Sequence, residues 1–306
     1  MAHSKAVLLL SSDFAAAWNS RKLIVSRKKH VLPFIDELVL SALVLSNSPK
    51  SEQAWCHRQW AIKLLAAKSP TLQEIVAKES ILVEKMAERS KMNYCAWNHR
   101  CWLVSYMTRE QVLTELRKSK SWAALHVADN SCFHYRTRLL SSTFPGCSKQ
   151  EDNSVDPMIE VKKIFQEELD WNEELITRYI GREALWLHRR FLSLFWVRCL
   201  ADNLSGKIDF FLDHELCLIN SCLTIPDIEF EDFQAQALYS ITYILWLMKH
   251  DIKPSRFQFH EKLRASCLKT ILDNGLPERS SLWNSIPGFR DVVGKTDHVN
   301  EDSESC

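Results

Sequence analysis

One short pattern constrains this chain more than any other feature. An aromatic residue followed three positions later by arginine recurs at Trp18/Arg21, Trp55/Arg58, Trp97/Arg100, Phe133/Arg136 and Trp186/Arg189. Successive aromatics stand 37, 42, 36 and 53 residues apart, and self-similarity at such a period is the signature of stacked structural repeats. On a helix the arginine sits one turn from the ring, on the same face. Two turns beyond each aromatic that face continues as Val25, Ile62, Val104 and Leu140, with Ser193 the exception. Ten residues on come Leu65, Met107 and Trp196. Each repeat therefore owns one helix built around the kernel.

A second helix precedes it in most copies. Pro33 opens one with Phe34, Leu38, Ala42 and Leu45 on its apolar side, and Pro70 opens another with Leu72, Ile75, Val76, Leu82, Val83 and Met86. Further leading helices are expected from about Thr108 to Val127 and from Pro157 to near Ile180. Ser12-Asp13, Asn93 and Asp129-Asn130-Ser131 stand where kernel helices need caps, and Lys50-Ser51-Glu52 starts the Trp55 helix. The first repeat reads as short of its leading helix, since residues 3–10 form only a brief apolar segment. Polar and breaker-rich residues 141–157 predict an inserted loop. Three helical segments near 208–224, 227–249 and 255–273 lack the kernel and read as a cap on the stack.

The expected fold is therefore all-α: a right-handed α-α superhelix, a tetratricopeptide-like solenoid of about five helix pairs plus a C-terminal helical cap. It occupies residues 1–293, with repeat cores near 13–28, 50–66, 92–108, 129–141 and 182–200. Residues 294–306 end the chain as an acidic tail expected to be disordered.

Composition narrows the function. The 306 residues are 46% hydrophobic and 25% charged, enough apolar content for a substantial core. Only 6 are Gly and no phosphate-cradling Gly-rich motif occurs. A formal charge of +1, with no basic run beyond Arg27-Lys28-Lys29-His30, disfavours a nucleic-acid partner. The 10 cysteines form no Cys-x-x-Cys pair and several lie in apolar helical runs, as expected of reduced thiols in a cytoplasmic protein. The apolar start is too short for a signal peptide, and no stretch is long enough to span a membrane.

The residues Asn93-Tyr94-Cys95-Ala96-Trp97-Asn98-His99-Arg100 resemble the Asn-Tyr-x-x-Trp-x-x-Arg core of protein prenyltransferase α subunits. Ala54-Trp55-Cys56-His57-Arg58 and Leu185-Trp186-Leu187-His188-Arg189 are similar to its second half. The stretches around Trp18 and Phe133 look most like the divergent, repeat-containing branch of that family. The resemblance covers roughly residues 3–200. It implies a superhelix that wraps a β subunit carrying the catalytic zinc, with isoprenyl diphosphate as a shared substrate and no cofactor in this chain. It further implies transfer of an isoprenyl group, geranylgeranyl rather than farnesyl, to cysteines of protein substrates. By the same resemblance Lys50, five residues before Trp55, and Tyr94, three before Trp97, correspond to residues that reach the diphosphate region. The family pattern often has histidine after that tyrosine, where this chain has Cys95.

A positioned ammonium stabilises charge developing on a leaving diphosphate, and a phenol can donate to a phosphate oxygen. The plainer expectations are a solvated lysine at 50 and a packed tyrosine at 94. His57, His99, His134 and His188 fall in successive units about 10 Å or more apart, too far for one zinc with ligands at about 2.1 Å. They and the kernel Trp and Arg residues are expected to be structural, the arginines bonding to carbonyls or carboxylates of the adjoining unit. The rival reading from another class is a non-enzymatic protein-interaction scaffold of the tetratricopeptide kind.

Overall fold

The computed structural model describes residues 1–28, 30–67, 69–144, 157–197, 205–223 and 231–249, and every regular element among them is helical. The chain divides into two compact units, Met1–Ser154 and Val155–Cys306. Their boundary falls within the 141–157 stretch expected to be a loop, of which residues 145–156 lie outside the described residues.

The first unit holds α1 (Ala2–Leu10), α2 (Ala15–Ser26), α3 (Leu32–Asn47), α4 (Glu52–Ala66), α5 (Leu72–Arg89), α6 (Tyr94–Leu103), α7 (Arg109–Leu125) and α8 (Asn130–Ser142). The odd-numbered helices lead and the even-numbered ones carry the kernels. Each leading helix packs on its kernel helix, and α2, α4, α6 and α8 pack on one another in succession. The expected caps at Asn93 and Asp129 are in place, whereas α2 begins after Phe14 with no side-chain cap from Ser12 or Asp13. The Ser51 hydroxyl accepts from the Ala54 amide, the Asn93 side chain from Ala96, and Asp129 from Ser131 and Cys132. Thr108 and Gln111 close a capping box at the start of α7.

The first repeat differs from expectation. Residues 2–10 form a true leading helix, because Arg21 donates to the Met1 carbonyl and to the Ser4 hydroxyl and so ties α1 down. Two apolar clusters of the first unit meet along α4. Along α4, Trp55 belongs to one, with Trp18, Val44 and Val83. Ile62 and Leu65 belong to the other, with Val25, Phe34 and Leu103. His57 and Arg58 lie between them in sequence and are themselves buried.

The second unit holds α9 (Pro157–Arg178), α10 (Glu183–Phe195), α11 (Ser205–Leu223) and α12 (Glu231–Lys249). Helix α9 pairs with α10, α11 pairs with α12, and α10 packs on α12. Gly181 turns the chain between α9 and α10 at φ 73°, and a Cβ there would stand 2.7 Å from the Asp232 carbonyl oxygen, so only glycine fits. The segment expected near 255–273, the tail 294–306 and residues 198–200 of the fifth core lie outside the described residues.

Candidate functional site

The kernel residues build a buried polar ladder. Arg21 grips Glu37 of the next repeat with both ends of its fork, Nε to Oε2 at 2.8 Å and Nη2 to Oε1 at 2.6 Å. His57, from the kernel helix of that next repeat, meets Glu37 Oε2 at 3.0 Å. Arg58 repeats the arrangement on Glu79 at 2.6 and 2.5 Å, with His99 at 3.1 Å. Arg189 does so on Glu215 at 3.0 and 2.5 Å, with the Tyr243 hydroxyl at 2.6 Å. The remaining fork nitrogen turns backward: Nη1 of Arg58, Arg136 and Arg189 donates to the carbonyl of Leu38, Leu116 and Leu169 respectively. Arg21, Arg58 and Arg189 thus each join their own leading helix to the next one, and a bidentate fork suits that task.

The rings follow the same logic. Trp18 lies 4.4 Å from His57 between ring centroids, Trp55 lies 4.9 Å from His99, and Trp186 lies 5.6 Å from Tyr243. The indole N–H groups of Trp18 and Trp55 donate to the Ser12 and Pro49 carbonyls, six residues earlier. Trp97 and Phe133 are buried in the same way. Ser193, the exception to the apolar pattern, exchanges a 2.6 Å hydrogen bond with Tyr243, which explains a hydroxyl at that core position.

Burial alone would raise the Glu79 carboxyl, but the Arg58 charge and the bonds from His99 and Arg58 override it and hold the group down at about 2. Glu37 is lowered in the same sense by His57 and Arg21 against its burial. Burial lowers His57 and His99 more than their glutamates raise them. Both are neutral at pH 7, with Nε2–H donating to the carboxylate and a buried Nδ1 that has no partner among the described residues. Burial also pushes Cys101 up to about 11 and Cys132 to about 12, which leaves those thiols unreactive. The glutamates escape a reading of single positions, yet their spacing was visible: Glu37/His57, Glu79/His99, Glu115/Tyr135 and Glu168/His188 are each 20 residues apart. Among the described residues no three His, Cys, Asp or Glu side chains gather as metal ligands would.

Lys50 and Tyr94 come to one edge, where the kernel helices α4 and α6 begin. Asn93 donates through Nδ2 to the Pro49 carbonyl at 2.8 Å while its Oδ1 caps α6. The Cys95 thiol donates to the Lys50 carbonyl at 3.7 Å. These bonds fix the Lys50 backbone against the start of α6 and leave its ammonium exposed. Ser51 extends the edge to the first repeat through a 2.7 Å bond to Asp13. Met92 takes the left-handed φ of 56° that lets the chain turn into Asn93. Tyr94 is 56% exposed. Its hydroxyl is raised above the ordinary range by the neighbouring Cys95 and by Glu52, so it is a proton donor at neutral pH. Burial raises Cys95 despite the nearby Lys50 ammonium, so the residue standing where histidine is usual is a neutral thiol.

Helix pairs whose second member carries Trp-x-x-Arg are what the comparisons with known proteins match. The protein prenyltransferase alpha subunit repeat matches residues 34–65, 77–107 and 165–195, which fall on α3–α4, α5–α6 and α9–α10. The chain carries protein prenyltransferase alpha subunit repeats in these segments. It is 30% identical to protein prenyltransferase alpha subunit repeat-containing protein 1 of Danio rerio over 73% of this chain and 63% of that one. It is 34% identical to the Homo sapiens protein of the same name over 60% of this chain and 56% of the relative. To the geranylgeranyl transferase type-2 subunit alpha of Saccharomyces cerevisiae it is 27% identical over 43% of this chain and 42% of the relative. The chain spans between half and two thirds of the repeat-containing relatives it matches. Beyond the matched segments, α7–α8 keeps the repeat register, since Arg136 reaches Leu116 and Ser119 just as Arg58 reaches Leu38 and Ser41. No helix among the described residues is long and apolar enough to cross a membrane.

Proposed function

We propose that the chain acts as the alpha subunit of a heterodimeric protein prenyltransferase. It supports transfer of an isoprenyl group, geranylgeranyl in this reading, from its diphosphate to a protein cysteine, with the catalytic zinc on the beta subunit. In that reaction a bond forms between the cysteine sulfur and the isoprenyl C1 as the C1–oxygen bond breaks, and the electron pair leaves with the diphosphate. What carries the proposal is the edge at the starts of α4 and α6. There the Lys50 ammonium and the Tyr94 hydroxyl are exposed on backbone that Asn93 and Cys95 hold together. Lysine supplies charge to the departing diphosphate and tyrosine a hydrogen bond, from positions that folding has already fixed.

The test is co-expression with prenyltransferase beta subunits, followed by single-turnover transfer of labelled geranylgeranyl to a cysteine-bearing acceptor. The expected result is a stable heterodimer whose transfer slows on the order of 100-fold with Lys50→Ala while assembly is unchanged. An unaltered rate in a normally assembled complex would remove Lys50 from the reaction. A second reading, a protein-binding scaffold without a reaction, draws on one observation: the relatives covering 60 to 73% of this chain are named for their repeats and not for an activity. A monodisperse chain that pairs with no beta subunit favours it.

A further inference from the structure

The ladder has one open rung. At Glu37, Glu79 and Glu215 both carboxylate oxygens are taken, one of them by the second tooth of an arginine fork. At Glu115 every described bond goes to a single oxygen. Oε2 accepts from Ser80 at 2.6 Å, Arg100 Nη2 at 2.8 Å and Tyr135 at 2.9 Å, and no described donor reaches Oε1. Arg100 correspondingly leaves its buried Nε without a partner among the described residues. The cause lies in the neighbours. Ser80, a residue of α5, inserts between Arg100 and Glu115 and bonds both, and the Arg100 guanidinium stacks over the Tyr135 ring at 4.6 Å instead of squaring up to the carboxylate.

Oε1 is not sealed in. Glu115 and Ser80 line a groove of about 330 Å³ between α5 and α7, two helices that touch each other far less than their partners α6 and α8 do. Val76, Ile81 and Met107 supply apolar flanks, and Gln111 crosses one end to bond the Gln73 carbonyl at 3.0 Å. Glu115 is 7% exposed, so nearly all of it is buried while one oxygen faces the groove. Three donors hold the carboxyl below its ordinary range against the effect of burial, so it carries its charge at neutral pH. A carboxylate oxygen that faces the groove and takes no bond from a described donor can accept from an external one. Lys118 stands exposed at the rim, three residues along α7, and no ion pair joins it to Glu115 among the described residues.

We infer that this groove is a docking site for a lysine side chain of a partner polypeptide, its methylenes against Val76, Ile81 and Met107 and its ammonium on Glu115 Oε1. One available oxygen suits a compact ammonium, whereas an arginine fork requires both. The apolar flanks suit the four-carbon stem. The inference is independent of the prenyltransferase reading, because the groove lies between leading helices and not at the edge where α4 and α6 begin.

The full chain, labelled at methionine and isoleucine methyl groups, is titrated with acetyl-Ala-Lys-Ala-amide and with its Nε-acetyl-lysine counterpart. The Met107 and Ile81 methyl resonances should shift saturably with the first peptide and at least about tenfold more weakly with the second, about 1.4 kcal/mol. Ala77→Trp, which fills the groove from its exposed wall without touching the ladder, should abolish the shifts. Glu115→Gln should weaken them at least about tenfold, with a thermal melt confirming the fold. Equal binding of the acetylated peptide, absence of saturation up to about 10 mM, or persistence of the shifts in Ala77→Trp overturns the inference. Butylammonium binding as tightly as the peptide overturns the polypeptide source.

Discussion

The junction after Trp55 and the junction after Trp186 have the same polar architecture but different sequences beyond them. Arg58 closes on Glu79 and His99, inside a helix pair that carries its own Trp97/Arg100 kernel. Arg189 closes on Glu215 and Tyr243, in a pair α11–α12 that carries no kernel at all. Here Tyr243 takes the place of the histidine, 28 residues after its glutamate instead of 20. Gln236 completes the substitution, accepting from the Trp186 indole and from the Gly181 amide. A glutamate on the leading helix and a ring donor on its partner are therefore what extend the stack. The Trp-x-x-Arg pattern marks a helix that can be extended further.

The comparison breaks first if its two arginines differ. Arg58→Met and Arg189→Met should each cost about 3–5 kcal/mol, because each leaves a buried carboxylate without its counter-charge. Urea unfolding of the two variants measures this, and a near-neutral Arg189→Met would mean that α11–α12 is only an attached cap. Arg100→Met sharpens the same comparison from the open rung. Arg100 makes one bond to its glutamate where Arg58 makes two, so its removal should cost about 1–2 kcal/mol less than that of Arg58. Equal costs would show that stacking on Tyr135 compensates fully for the missing tooth.

Acid tests the ladder as a whole. His57 and His99 have folded pKa values below the ordinary 6.5, so their stabilisation is fully present above pH 6.5 and declines as pH falls and the unfolded chain takes up protons. Glu79, held at about 2, and Glu37, also lowered, add a second loss that begins below about pH 4.5. Thermal midpoints should therefore fall in two stages from pH 7 to pH 3. His57→Gln/His99→Gln should flatten the first stage and leave the second. The smallest effect belongs to the exposed edge. Lys50→Ala should change unfolding free energy by less than about 0.5 kcal/mol, since its side chain is solvated and only its backbone is engaged.

Much of this was legible in the chain itself. Kernel aromatics, the arginines beside them and the caps at Asn93 and Asp129 are short-range features whose residue type and spacing state their purpose. Lone glutamates on leading helices are not, because Glu37 or Glu79 in an amphipathic helix reads as part of a solvated face until the arginine that grips it is known. The constant 20-residue interval to a histidine or tyrosine was the available signal. Helices α11 and α12 lacked even that, their interval having grown to 28, and so read as a cap. Lys50 and Tyr94 stand together because Asn93 bonds back to Pro49, a contact across 44 residues that no local pattern reports.

The central structural claim is that the arginine, the glutamate of the next pair and its ring donor act as one weld between repeats. A double-mutant cycle across Arg58→Met and Glu79→Leu, read by urea unfolding, tests it most directly. The account predicts that the double variant is more stable than Arg58→Met alone, with a coupling of about 2 kcal/mol or more. Additive costs within about 0.5 kcal/mol would contradict it, because the two residues would then stabilise their helices separately.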